Sequence, residues 1–325
     1  MESRAYYGSV PCSGVTTAGK ACGNRAYFLT NGLYRCGVHS DKKNRIHLPK
    51  NTLLAEQNRV ANFLVHFQSV KEAADISREE EKPGQITCYK MRMMKDPPLV
   101  PGVINVFPNN KHQNRKDGFG CSSLSPMRLG PVEHGQPGVP AATNIENYHQ
   151  FNKVWPCELS GVVPKGELDV DNFPAPMNSF WVARTAGYLD PVPHRHKFPV
   201  VKGPVGVNSN TPCYSVHATL TGDVRRFTYV QSRYFYCIAY EKLATTTEDF
   251  AKLIQMVSEG MSICICGYDA FEVTEDLYSH YCDSSRAFGH ELVLYALLEH
   301  AINPEVLLPW HRYHEEHPSV YAGMI

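Results

Sequence analysis

The chain has 325 residues, with 32 acidic and 32 basic side chains and a hydrophobic fraction of 43%. That balance leaves no net field to draw it onto nucleic acid or an anionic membrane, and no apolar run approaches the roughly 18 to 20 residues of a membrane span. The opening Met1-Glu2-Ser3-Arg4 lacks a signal core, so the expectation is a protein that stays where it is made. The 11 cysteines are odd in number, and Cys264-Ile-Cys266 lies in an apolar run. Reduced thiols in the cytoplasm, the nucleus or a virion fit that usage.

Chemistry is most explicit near the start, where Cys12, Cys22, Cys36 and His39 fall within 28 residues. A Cys3His set suits a structural zinc ion, tetrahedral and thiolate-rich, with no open position for catalysis. Gly14, Gly19, Gly23, Gly32 and Gly37 surround the four, as tight turns that present amides to sulfur require. Few aliphatic side chains lie between them, so a metal has to replace a core. The nine residues between the first two cysteines exceed the usual spacing of roughly two to four. His47 is the alternative fourth ligand. The Gly19-to-Cys22 and Tyr34-to-His39 pieces resemble short treble-clef-like modules, and we expect a zinc-binding module over residues 1–50.

A basic stretch follows, Lys42, Lys43, Arg45, His47 and Lys50, and then Asn51-Thr52, which can cap a helix. Leu53, Val60, Leu64, Phe67 and Lys71 fall at helical spacing, predicting an amphipathic helix over 51–82 that Pro83-Gly84 stops. Residues 83–215 are rich in Pro, Gly and Asn with short apolar stretches, which reads as a loop-rich region with brief strands. Ordered loops of this length tend to carry sites.

Residues 216–325 are more regular. Phe227, Tyr229, Val230, Tyr234, Tyr236 and Ile238 predict a strand over 225–240. Thr245-x-x-Glu248 reads as a capping box opening a helix that Gly260 ends. Ser262 to Cys266 reads as a buried strand, with a turn at Gly267-Tyr268-Asp269, and a further helix spans 286–301 before Asn303-Pro304. Taken together, this is an α+β fold: a small N-terminal zinc-stabilised module packed on a mixed α/β main domain over 51–325, with long irregular loops. Asp269 sits just past a strand's carboxyl end, where open sheets place ligands.

No Gly-x-Gly-x-x-Gly, Walker loop, nucleophile elbow or His-Glu-x-x-His occurs in the chain, which argues against the redox, nucleotide-hydrolysing, serine-hydrolase and zincin classes. His311-Arg-Tyr-His314-Glu-Glu-His317 has the residue types of a metal cluster, but helical spacing sends its end histidines to diverging faces. A solvated terminal helix is the preferred reading. Pro193-His194-Arg195-His196-Lys197 reads as an exposed loop whose cationic tip could hold phosphate.

The stretch from Gly118 to Trp155 is the most suggestive. Glu146, Gln150 and Lys153 stand at i, i+4 and i+7, so on a helix they bring an acid, an amide and a base to one face, as a cleft edge would. The plainer alternative is a salt bridge along a helix. Leu124-Ser125-Pro126, then Glu146-x-Tyr148-x-Gln150-x-x-Lys153, then Phe288-Gly289-His290-Glu291-Leu292 resemble the NADAR family. Members of that family are associated with ADP-ribose and related N-glycosides, and some hydrolyse the bond between ribose and a modified base. The resemblance implies that Glu146 is the acid or base at the anomeric carbon and Lys153 its charge partner, while Ser125, Tyr148 and Gln150 bind and orient substrate. It departs from the family where Asp283-Ser-Ser-Arg286-Ala-Phe-Gly289 replaces a Trp-Gly step. The chain is also similar to proteins of large DNA viruses.

Hydrolysis of an N-glycoside needs one group to steady an oxocarbenium-like centre and another to move a proton. Glu146 with Asp269 or Glu291 fills those roles, and Arg184, Arg195 or Arg286 suits phosphates. The expected function is hydrolysis of an N-glycosidic bond of ADP-ribose, free or linked to nucleic acid, or of a modified nucleotide. A structural or assembly protein of a virion, contacting neighbouring capsid or assembly proteins, is the alternative from another class, and Lys42 to Lys50 would serve a nucleic-acid adaptor.

Overall fold

Asn31-Gly32 begins the first folded piece. Both residues take positive φ, 49° and 74°, as the turn of a tight two-residue hairpin requires. They join β1 (Phe28–Thr30) to β2 (Leu33–Arg35), and β3 (Ile46–His47) pairs antiparallel with the other edge of β1. The computed structural model describes residues 8, 10–48, 52–92, 96–115, 117–155, 179–194, 212–274 and 276–324. The chain divides into two compact units, Met1–Asn62 and Phe63–Ile325. The boundary lies inside helix α1 (Thr52–Glu79) rather than ahead of it. The class is α+β, as expected.

The second unit is built on a parallel sheet of four strands in the order β4-β10-β5-β6, formed by β4 (Ile86–Lys90), β5 (Val103–Phe107), β6 (Phe119–Gly120) and β10 (Ser262–Gly267). In β10, Ile263 through Cys266 are all buried, the continuous apolar run of a strand covered on both faces. Three strands, β5, β6 and β10, leave the sheet at their carboxyl ends as the segments starting at Pro108, Cys121 and Tyr268. Helix α2 (Ile145–Phe151) precedes a small antiparallel sheet, in which β7 (Lys153–Val154) and β9 (Val224–Phe227) flank β8 (Tyr214–Ala218), and helix α3 is Ser179–Leu189.

The remaining helices are α4 (Tyr229–Ala244), α5 (Glu248–Ser258), α6 (Leu277–Cys282), α7 (His290–Ile302), α8 (Pro309–Glu316) and α9 (Pro318–Tyr321). Helix α7 buries Leu292, Val293, Leu294, Ala296, Leu297 and Leu298, and it contacts α4, α5, β4 and β10. An apolar surface that wraps around the helix marks it as the central one.

The expected strand over 225–240 is corrected. Only Val224–Phe227 is strand, and the aromatic run is helix α4. Thr228 is the reason, since its side chain accepts from the Gln231 amide while the Gln231 side chain returns to the Thr228 amide. The next cap is likewise Thr247, bonded to the Phe250 amide, whereas Thr245 ends α4. The helix predicted from 286 begins at His290. No described helix is long and apolar enough to cross a membrane, and every described cysteine is free.

Candidate functional site

In the first unit the ligand atoms of Cys12, Cys22, Cys36 and His39 all lie within 4.8 Å of one another. Cys22 Sγ is 4.0 Å from Cys36 Sγ, and His39 Nδ1 is 3.5 Å from Cys12 Sγ and 3.4 Å from Cys36 Sγ. Ligands about 2.0 to 2.3 Å from a tetrahedral ion stand about 3.5 to 3.8 Å apart, so the four can hold a metal ion. Amides support the sulfurs: Gly14 N and Cys36 N donate to Cys12 Sγ at 3.3 and 3.2 Å. The amides of His39 and Val38 outweigh burial and bring the Cys36 thiol down to about 6, which favours the thiolate that a metal needs. Gly14 is required by contact, because a Cβ there would lie 2.4 Å from the His39 ring. The alternative ligand His47 pairs with Phe28 on β3, with ring centroids 4.6 Å apart. It stays outside the set.

In the second unit a cleft of about 480 Å³ opens over the carboxyl ends of the parallel strands. Ser125, Glu146, Gln150, Lys153, Asp269 and Glu291 all line it. Asn144 caps α2 through the Asn147 amide. The Glu146 amide bonds the Pro126 carbonyl at 3.0 Å, which ties the Leu-Ser-Pro turn to the start of that helix. Gln150 Nε2 donates to Glu146 Oε1 at 3.0 Å, and Lys153 Nζ donates to Gln150 Oε1 at 3.1 Å. The expected helix through Lys153 is corrected, since α2 stops at Phe151 and Lys153 starts β7. The lysine still completes the row. Burial pulls its ammonium down to about 8, against the charges of Glu146 and Asp269.

Glu291 reaches the cleft from the first turn of α7. It is 2% exposed. Burial pushes its carboxyl up to about 8 and the Asp269 charge adds to the rise, while the amides of Glu291, Asp269 and Tyr268 oppose it. Gly267 and Gly289 make room for it: a Cβ at Gly267 would lie 1.8 Å from Glu291 Oε1, and one at Gly289 would lie 2.9 Å from Glu291 Oε2.

Other expected site residues lie elsewhere. Tyr148 is two positions along α2 from Glu146, a turn of about 200°, and its hydroxyl lies 3.3 Å from His217 Nδ1 in the core. Arg184 is 3% exposed and bonds Asn152 Oδ1 and Gln136 Oε1. It holds interior loops together and is no phosphate ligand. Arg286 pairs with Asp283 at 3.2 Å and does not line the cleft. Arg195 lies outside the described residues. The histidines of α8 find separate partners, His311 on Glu241, His314 stacked on Tyr234 and His317 on Tyr313, so they form no metal set.

The cleft also contains residues that spacing did not single out. Asn109 and Lys111 come from the segment after β5, and His149, Tyr229, Tyr236 and His290 from the helices. Arg233 lay hidden in the stretch read as strand. From α4 its guanidinium reaches the carbonyls of His280, Tyr281, Asp283 and Arg286, fastening the segment that leads into Gly289 and Glu291. Compared with known proteins, the chain matches no family model, no curated protein and no solved structure.

Proposed function

We propose that the cleft hydrolyses the N-glycosidic bond of a ribosyl compound, either ADP-ribose, free or linked to nucleic acid, or a modified nucleotide. The observation that carries this reading is the hydrogen-bonded row Glu146-Gln150-Lys153 sharing one cleft with Asp269 and Glu291. A carboxyl held at about 8 keeps its proton at neutral pH and suits a general acid. Glu291 protonates the base nitrogen as its bond to the sugar C1 breaks and the bonding pair leaves with the base. Glu146, oriented by Gln150, takes a proton from the water that attacks C1, and Asp269 steadies the positive charge that develops on the sugar. Lys153 balances the carboxylates and restrains the Glu146 side of the cleft. Tyr229, Tyr236 and Phe288 offer rings for a base. The reading includes a zinc ion as the metal of the Cys3His group, structural because all four positions are filled by protein.

The test is cleavage at the ribosyl carbon: nicotinamide released from NAD, adenine from ADP-ribose, and ADP-ribose from ADP-ribosylated nucleic acid. Glu146→Gln, which keeps the shape and removes the base, should lower the rate about 100-fold or more. Wild-type rates in both Glu146→Gln and Glu291→Gln, or no release from any of the three by the native protein, would overturn the reading.

A further inference from the structure

Asn109 lines the cleft and is 8% exposed, yet neither its Nδ2 nor its Oδ1 has a hydrogen-bond partner and both are shut off from water. It occupies the N-cap position of a one-turn 3-10 helix, Asn110–His112, without capping it, although asparagine there ordinarily accepts from the turn's amides. A buried amide without partners carries its whole desolvation cost, and an apolar residue of the same shape would not. The fold alone therefore gains nothing from this amide.

Its position says what it can meet. β5 and β10 are neighbours with Ile265 opposite Val106, and that register continued past the strand ends sets Asn109 beside Tyr268 and next to Asp269. It lines the same cleft as the carboxylates assigned to the sugar carbon. The rings of Tyr229, Tyr236 and Phe288 come from α4 and the segment before α7, and the Tyr268 hydroxyl already bonds Lys111 at 3.2 Å. The base belongs on that aromatic side and the sugar beside Asn109. An amide offers an acceptor and donors in one plane, the complement of two neighbouring hydroxyls.

Resting on the N-glycoside reading, we propose that Asn109 recognises the vicinal 2- and 3-hydroxyls of the substrate ribose and makes the cleft select ribose over 2-deoxyribose. The amide turns outward to meet the ligand, exchanging two unmet groups for two hydrogen bonds. A site built this way rejects an analogue that lacks the hydroxyl, because its own polar atoms are then left unpaired.

The experiment compares the native protein with Asn109→Leu by melting temperature without ligand, and by affinity for ADP-ribose and for the analogue lacking the 2-hydroxyl on the adenine-bearing ribose, the sugar whose C1 holds the base. The native protein should bind ADP-ribose about tenfold or more tightly than the analogue. Asn109→Leu should bind the two alike and melt no lower than the native protein. A lower melting temperature would show that the amide has a structural partner and would overturn the proposal, as would a preference that survives in the variant. If the native protein releases base but does not distinguish the sugars, the inference fails alone. If it binds neither compound, the inference fails, and only an absence of cleavage of all three substrates takes the N-glycoside reading with it.

Discussion

Glu291 shows how one side chain acquires a property its sequence neighbours do not announce. It stands in the first turn of a helix, where the amides favour a negative charge, and three amides do oppose protonation. Burial among apolar groups nevertheless prevails, with the Asp269 charge adding to it, and the carboxyl rises to about 8. The sign follows from that direction. A folded value above the unfolded one contributes stability below about pH 4.5, and that contribution is lost as pH rises through about 8. Only glycine at 267 leaves room for the carboxyl. Gly267→Ala should therefore displace Glu291 and abolish base release, at a cost of about 1 to 3 kcal/mol in stability from overpacking. Denaturant unfolding and the base-release rate check both halves, and an unchanged rate would remove Glu291 from the reaction. The residue types Glu146, Gln150, Lys153 and Asp269 were legible as chemistry before any fold was known. Asn109 and Arg233 were not, because an asparagine in a loop and an arginine among tyrosines carry no spacing signal.

At the scale of elements, α2, β8 and α4 meet around two imidazoles, His217 buried and His149 half-buried at the cleft. His149 on α2 packs against Tyr236 of α4 with centroids 4.9 Å apart, and His217 on β8 stacks on Phe235 at 3.8 Å. Burial holds both rings neutral, well below the usual imidazole range. The nearby positive charge of Lys153 on His149, and of Arg184 on His217, acts in the same direction. Tyr148 is also near His217, and its own proton is held by burial. A depressed folded value gives stability that is present above about pH 6.5 and drains away as pH falls below it. By pH 5 each ring should cost up to about 2 kcal/mol, since the unfolded chain takes up protons the folded one refuses. Urea midpoints at pH 7.5 and pH 5 measure the loss, and a midpoint independent of pH in that range would contradict it. The strand expected over 225–240 failed at this same scale. Five of the six β-favouring residues, Tyr229 through Ile238, lost to a threonine cap and to the burial of Tyr234, Phe235, Tyr236 and Tyr240 on a helix, because propensity is weaker than packing.

At the scale of the whole molecule, two units solve the problem of stability differently. The first buries little beyond Ala26, Phe28, Leu48 and its cysteines, while the second has a large apolar core. Metal binding to a preformed Cys3His set contributes about 10 kcal/mol or more, enough to replace a core. We predict about one equivalent of zinc per purified chain by elemental analysis. Chelation should expose the residues of the first unit to protease while the second stays resistant. Less than half an equivalent, or an unchanged cleavage pattern, would count against zinc as the staple. The sequence by itself determined the three cysteines of the candidate metal group, helix α1, the buried strand β10 and the residue types of the Glu146 row, because each depends on residues close together in the chain, whereas the fold chose His39 over His47. Only the tertiary structure decided that Glu146, Asp269 and Glu291 share a cleft, that Arg184 and Tyr148 face the interior, and that Asn109 lines the same cleft. Those relations are made by pairing β5 with β10 and by docking α2 against α4, contacts between residues more than 80 positions apart that no local spacing encodes.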